Sequence, residues 1–137
     1  MPTKTRATLE DLYAVTGKAE LVNGELEIMS PTGDKPGRAG DEIFPSLHSY
    51  VLMTNFGRAV SDNKGFLAQL DHRKSFSPDA AFYNGRPGGM KSFPDVPVFA
   101  AEVRSEGDYG PKAEREMAAK RATTSRQCAN SSGTLIC

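Results

Sequence analysis

Apolar and polar positions along this chain repeat with two periods, one helical and one extended, and the switches between them mark its elements. Leu9, Leu12, Tyr13 and Thr16 fall on one helical face. Thr8, with an acid three residues on at Asp11, predicts where that helix starts, and Gly17 can stop it. Residues 20–22 and 26–29 are short apolar runs flanking Asn23-Gly24, which predicts a hairpin because both residues of such a turn need positive φ. Residues 30–37 are a loop by composition. The pattern over 38–54 is helical, with Ile43, Leu47, Tyr50 and Val51 as the apolar stripe. Pro45 is a fault in it, so the spacing predicts either a kink or a helix beginning near Phe44.

Strands follow. Residues 57–61 and 65–70 read as two strands around Asp62-Asn63-Lys64, and Asp71-His72-Arg73-Lys74 as a solvated, basic turn that could also touch a phosphate backbone. Residues 77–83 and 99–105 read as two more, separated by a loop over 84–90 and by Pro94 and Pro97. Pro111 fits the first position of a helix running through Arg121. Ala113, Met117 and Lys120 share its inner stripe, and Lys112 points away. From Thr123 onward the helix and strand signals fade, and only the last four residues are apolar.

Each of the last two strands carries an acid. Side chains alternate faces along a strand, so Ser77, Asp79, Ala81 and Tyr83 share one face, as do Ala100, Glu102 and Arg104. An acid among apolar neighbours is costly unless it is paired, metal-bound or at the sheet rim. Two readings stay open on pattern alone. Asp79 is a turn residue after Pro78 and Glu102 pairs with a base such as Arg104, or the two carboxylates converge on one cation.

The ordered set of segments tips the balance. Ser77-Pro78-Asp79-Ala80-Ala81-Phe82 followed by Phe99-Ala100-Ala101-Glu102-Val103-Arg104-Ser105 resembles the Uma2 family of endonucleases, within the PD-(D/E)XK restriction-endonuclease-like superfamily. Glu20 to Leu26, Met29 to Gly33 and Ser61 to Phe66 fit the same family in the same order. The resemblance implies an α/β fold, a mixed sheet of about five or six strands flanked by helices. It implies Asp79 and Glu102 as ligands of Mg²⁺ (or Mn²⁺), and Lys120, on the helix after Glu102, as the lysine of the site. A lysine two residues after the acid would be the usual arrangement, but Arg104 stands there, and arginine keeps its proton. Glu20 and Glu42 are positions where the resemblance admits a further acid, beside the simpler reading of each as a solvated carboxylate.

Composition changes the picture in three ways. At 137 residues the chain is one domain long, and 17 basic against 17 acidic residues leave no net charge to hold nucleic acid non-specifically. Cys128 and Cys137 make no metal spacing with His48 and His72. Neither a signal peptide nor a membrane-length apolar run is evident, which predicts a cytoplasmic protein that meets no membrane. The tail lacks the buried aliphatic strands that the resemblance implies, so residues 1–122 are expected to be an endonuclease domain incomplete at its C-terminus and 123–137 a disordered tail. The expected activity is Mg²⁺-dependent hydrolysis of DNA phosphodiester bonds, with catalytic Asp79, Glu102 and Lys120, in a domain compatible with a homodimer. The alternative is an inactive remnant or interaction module that keeps the fold.

Overall fold

The structure, a computed structural model, describes residues 5–31, 33–104, 109–129 and 134–136. In chain order its elements are α1 (Leu9–Ala14), β1 (Ala19–Val22), β2 (Glu25–Ile28), α2 (Asp34–Thr54), β3 (Arg58–Val60), β4 (Phe66–Leu70), β5 (Arg73–Phe76), β6 (Ala80–Tyr83), β7 (Phe99–Ala101), α3 (Pro111–Ala129) and β8 (Thr134–Ile136).

Local chemistry explains most of these boundaries. Thr8 caps α1 in a reciprocal box: its hydroxyl accepts from the Asp11 N–H, and the Asp11 carboxylate accepts from the Thr8 N–H at 2.7 Å. Asn23 and Gly24 both take positive φ, 51° and 74°, and close the β1–β2 hairpin. Helix α2 begins at Asp34 and continues unbroken past Pro45, with no new start near Phe44. It ends at Asn55, which takes the left-handed conformation.

The strands divide between two four-stranded sheets instead of one of five or six: β2-β1-β5-β4 and β3-β6-β7-β8. The pairing of residues 57–61 with 65–70 around Asp62-Asn63-Lys64 is therefore not a hairpin: β3 pairs with β6, and β4 with β5. The basic stretch at 71–74 is only half a turn, because Arg73 opens β5 and is buried.

The two sheets share one core. Phe66, Ala68 and Phe76 from the first pack with Val60, Ala81, Tyr83 and Ala100 from the second. Phe93 fills the seam, its ring stacked 4.7 Å from Phe66 and tilted 4.6 Å from Tyr83. The chain crosses from β5 to β6 through Ser77-Pro78-Asp79. Proline has no N–H for a ladder, so the buried Pro78 ends one sheet's pairing, and the chain enters the other. Helix α2 lies over the second sheet, with Tyr50 edge-on to Phe82 at 5.5 Å.

Helix α3 starts at Pro111 as the sequence predicts and continues to Ala129, past the point where its sequence signal fades. Thr134–Ile136 then pairs parallel with β7 as β8.

Candidate functional site

Asp79 lies where the chain crosses between the sheets. Its N–H donates to the Ala101 carbonyl at 2.9 Å, the same residue that Ala80 faces in the β6–β7 ladder, so the regular register ends at this point. Glu102 itself is half-buried just beyond the end of β7. The backbone thus brings the end of β7, where Glu102 follows Ala101, to the segment that carries Asp79.

The Asp79 carboxylate is fixed at both oxygens. Oδ2 accepts from the Val103 N–H at 2.6 Å, and Oδ1 accepts from the Lys18 ammonium at 3.2 Å. Lys18 also donates to Asp62 Oδ1 at 2.7 Å, so one ammonium joins two carboxylates. The Lys18 and Asp79 side chains are each 13% exposed and Asp62 40%, so this cluster opens to solvent on the Asp62 side. Burial pushes the Lys18 ammonium toward losing its proton, but its hydrogen bond to Asp62 and the charges of both acids outweigh this, and its pKa is raised. Asp62 is held in turn by the Asn63 N–H at 2.6 Å, in a turn where Asn63 takes a left-handed φ of 61°.

A hollow of about 140 Å³ opens at this cluster, lined by Asp79, Asp62, Ser61 and, from α2, Gly40, Asp41 and Phe44. At Gly40 α2 comes close to the crossing: a Cβ there would lie 3.8 Å from the Asp79 carbonyl oxygen. The larger cleft, about 600 Å³ between α3 and the β1–β2 sheet, is lined by Glu27, His72, Glu116 and Met117 among others, and Asp79 is not part of it.

Other residues named from the sequence have different positions. Glu20 is not a surface acid. It is 1% exposed, accepts from Arg73 at 2.6 Å, and takes the Ser77 N–H at 2.9 Å. Arg73 is accordingly unavailable to a phosphate backbone. Glu42 is solvated and pairs with Arg38 one turn away, while Asp41 faces the hollow. Arg104 donates to the Glu114 carboxylate on α3, and its guanidinium lies 5.8 Å from the Tyr109 ring. Lys120 is on α3, but its side chain lies outside the described residues, as do the side chains of Cys128 and Cys137.

Sequence reasoning missed Lys18 and Asp62. They stand 61 and 17 residues from Asp79, counting along the numbering, and no local spacing links them. The segment Ser61 to Phe66 was noted for its family likeness, and that was the available signal for Asp62.

Hard carboxylate oxygens suit Mg²⁺, which is usually bound through one or two carboxylates and keeps several waters. Asp79 and, across the Lys18 ammonium, Asp62 supply oxygens of that kind. Among the described residues no group of three or more His, Cys, Asp or Glu side chains gathers to form a metal cage. The donors present are hard oxygens, the kind that suits a divalent cation. No helix among the described residues is long and apolar enough to cross a membrane.

Comparison with known proteins gives the same direction. A family model described as "Uma2: Putative restriction endonuclease" matches residues 7–122. Among solved structures, a crystal structure of a "putative nuclease belonging to DUF820" from Anabaena variabilis ATCC 29413 superposes with a TM-score of 0.62 at 15% identity, covering 85% of this chain and 69% of that one. At that identity the likeness shows the fold, which is restriction-endonuclease-like. No curated protein matches the chain.

Proposed function

This chain belongs to the Uma2 family, and from that premise we propose that it is a nuclease hydrolysing DNA phosphodiester bonds with Mg²⁺ or Mn²⁺ held at Asp79 and Glu102. The observation that carries this reading is the place of Asp79. It is a carboxylate at the crossing of two sheets, oriented by the Val103 N–H at the end of β7 and open to a hollow. When bound, the metal would supply an acidified water and a positive charge against the phosphate oxygens.

The protein's own contribution is positioning. The Val103 N–H holds one Asp79 oxygen, which turns the other toward the cation side. Glu20 ties β1 to the Ser77 N–H, two residues before Asp79, and so fixes the strand entry that aims it. Lys120 is assigned to orient the attacking water and to stabilise charge in the transition state, a role that Arg104 does not take because its guanidinium is engaged by Glu114.

Cleavage of supercoiled plasmid DNA tests this. Native protein with Mg²⁺ or Mn²⁺ is expected to nick the plasmid, and Asp79→Asn to lose at least about 100-fold in rate, the scale of a group acting directly on the reacting centre. Equal cleavage by both proteins would refute it. One observation favours the second reading, a non-catalytic module: both Asp79 oxygens already have donors. That reading predicts no cleavage by either protein and no metal effect on either.

A further inference from the structure

Three groups distant in sequence meet at the site: the Lys18 ammonium from the segment before β1, the Asp62 carboxylate from the turn between β3 and β4, and Asp79 from the sheet crossing. We propose that Lys18 is the resident cation of this site and Asp62 a further member of its metal-holding set, so that a divalent cation binds by displacing the Lys18 ammonium from the Asp62–Asp79 pair. This rests on the metal reading of Asp79.

The argument is one of occupancy and charge. Asp79, only 13% exposed, needs a counter-cation, which it shares with the more exposed Asp62. The ammonium provides it, at 2.7 and 3.2 Å, on the Oδ1 atom of each acid. The second Asp79 oxygen is taken by the Val103 N–H at 2.6 Å. The face of Asp79 that a metal would use is thus the one Lys18 occupies, and two cations on the same oxygens repel. A lysine stem is long and flexible, and its ammonium is a point charge able to swing to solvent on the 40% exposed Asp62 side. Ser61 and Asp41 line the same hollow, leaving room for water around an incoming ion. An alternative, in which Lys18 merely staples β1 to the crossing, makes a different prediction for metal affinity.

Mn²⁺ binding, followed by isothermal titration and by loss of the free-ion electron paramagnetic signal, separates the two. Lys18→Met is expected to bind Mn²⁺ at least tenfold more tightly than native protein, and Asp62→Asn at least fivefold more weakly. Unchanged or weaker binding by Lys18→Met, with native binding present and lost in Asp79→Asn, would overturn the inference and leave the metal reading standing. Absence of Mn²⁺ binding in both native protein and Lys18→Met would overturn the two together. A second measurement needs no variant: a proton–nitrogen spectrum of lysine ammonium groups in native protein. It should show a slowly exchanging signal assigned to Lys18 without metal that disappears at saturating Mg²⁺, whatever the Lys64 ammonium, held by Ser61 and the Asp62 carbonyl, does. Persistence of that signal at saturation would contradict displacement.

Discussion

Glu20 illustrates how a single residue can be misjudged from sequence and still decide the site. Its position in an apolar strand announced that it needed a partner, but two partners were equally good on paper, a metal or water. The structure supplies a third, Arg73, 53 residues away, and both side chains are buried. Such a pair gains little over an apolar one, but breaking it leaves a bare charge inside the protein. Glu20→Gln is therefore expected to lower stability by about 3 kcal/mol or more, measured by urea unfolding at neutral pH. A loss under about 0.5 kcal/mol, typical of surface changes, would contradict the burial. The same residue also accepts from Ser77, so the substitution should loosen the entry to Asp79. Asp79 itself was legible, because an acid after proline in an apolar strand demands an explanation. Lys18 was not, because a lysine before a strand is ordinary until the fold brings it to two acids.

At the level of elements, local signals served well where the cause is local. The Thr8–Asp11 box, the Asn23-Gly24 turn and Pro111 at a helix start each operate within four residues, and each is where the sequence puts it. Tertiary contacts decided the rest. Helix α2 keeps Pro45 because packing on β3 and β6 compensates a missing donor. Strand β5 escaped notice because Arg73 and Lys74 read as solvated, while Glu20 makes Arg73 a buried strand residue. The connection after β6 has its own clamp. Asp95 accepts from the Arg86 N–H at 2.8 Å and from two guanidinium nitrogens at 3.1 and 2.8 Å. The side-chain and backbone hydrogen bonds from Arg86 hold the Asp95 carboxyl down to about 2. A lowered value stabilises above the ordinary carboxylate pKa and is lost as pH falls through the folded one. The stability difference between native protein and Asp95→Asn should thus be constant above about pH 4 and shrink toward pH 2. Solvent screening of this exposed pair keeps that difference small. Denaturant melts across that range check it, and a difference that grows on acidification would contradict the clamp.

For the molecule as a whole, the α/β class was legible and the division into two sheets was not. Strand periodicity says that a segment is extended, not which neighbour it pairs with, and β3 and β4 are adjacent in sequence yet belong to different sheets. What joins them is an aromatic seam of Phe66, Phe76, Tyr83 and Phe93, drawn from 28 residues of chain with no periodic signature. Asp79 lies at the crossing between those sheets and could be named from the sequence, whereas Lys18 and Asp62 are brought to it by pairing across the fold and could not. The most direct test of the account is a thermal melt with and without saturating Mg²⁺, on native protein and on Asp79→Asn. A ligand that binds only the folded state raises its melting temperature. The account predicts a cooperative melt raised by Mg²⁺ in native protein and unmoved in Asp79→Asn; an equal rise in both, or none in native protein, would contradict a metal site at Asp79.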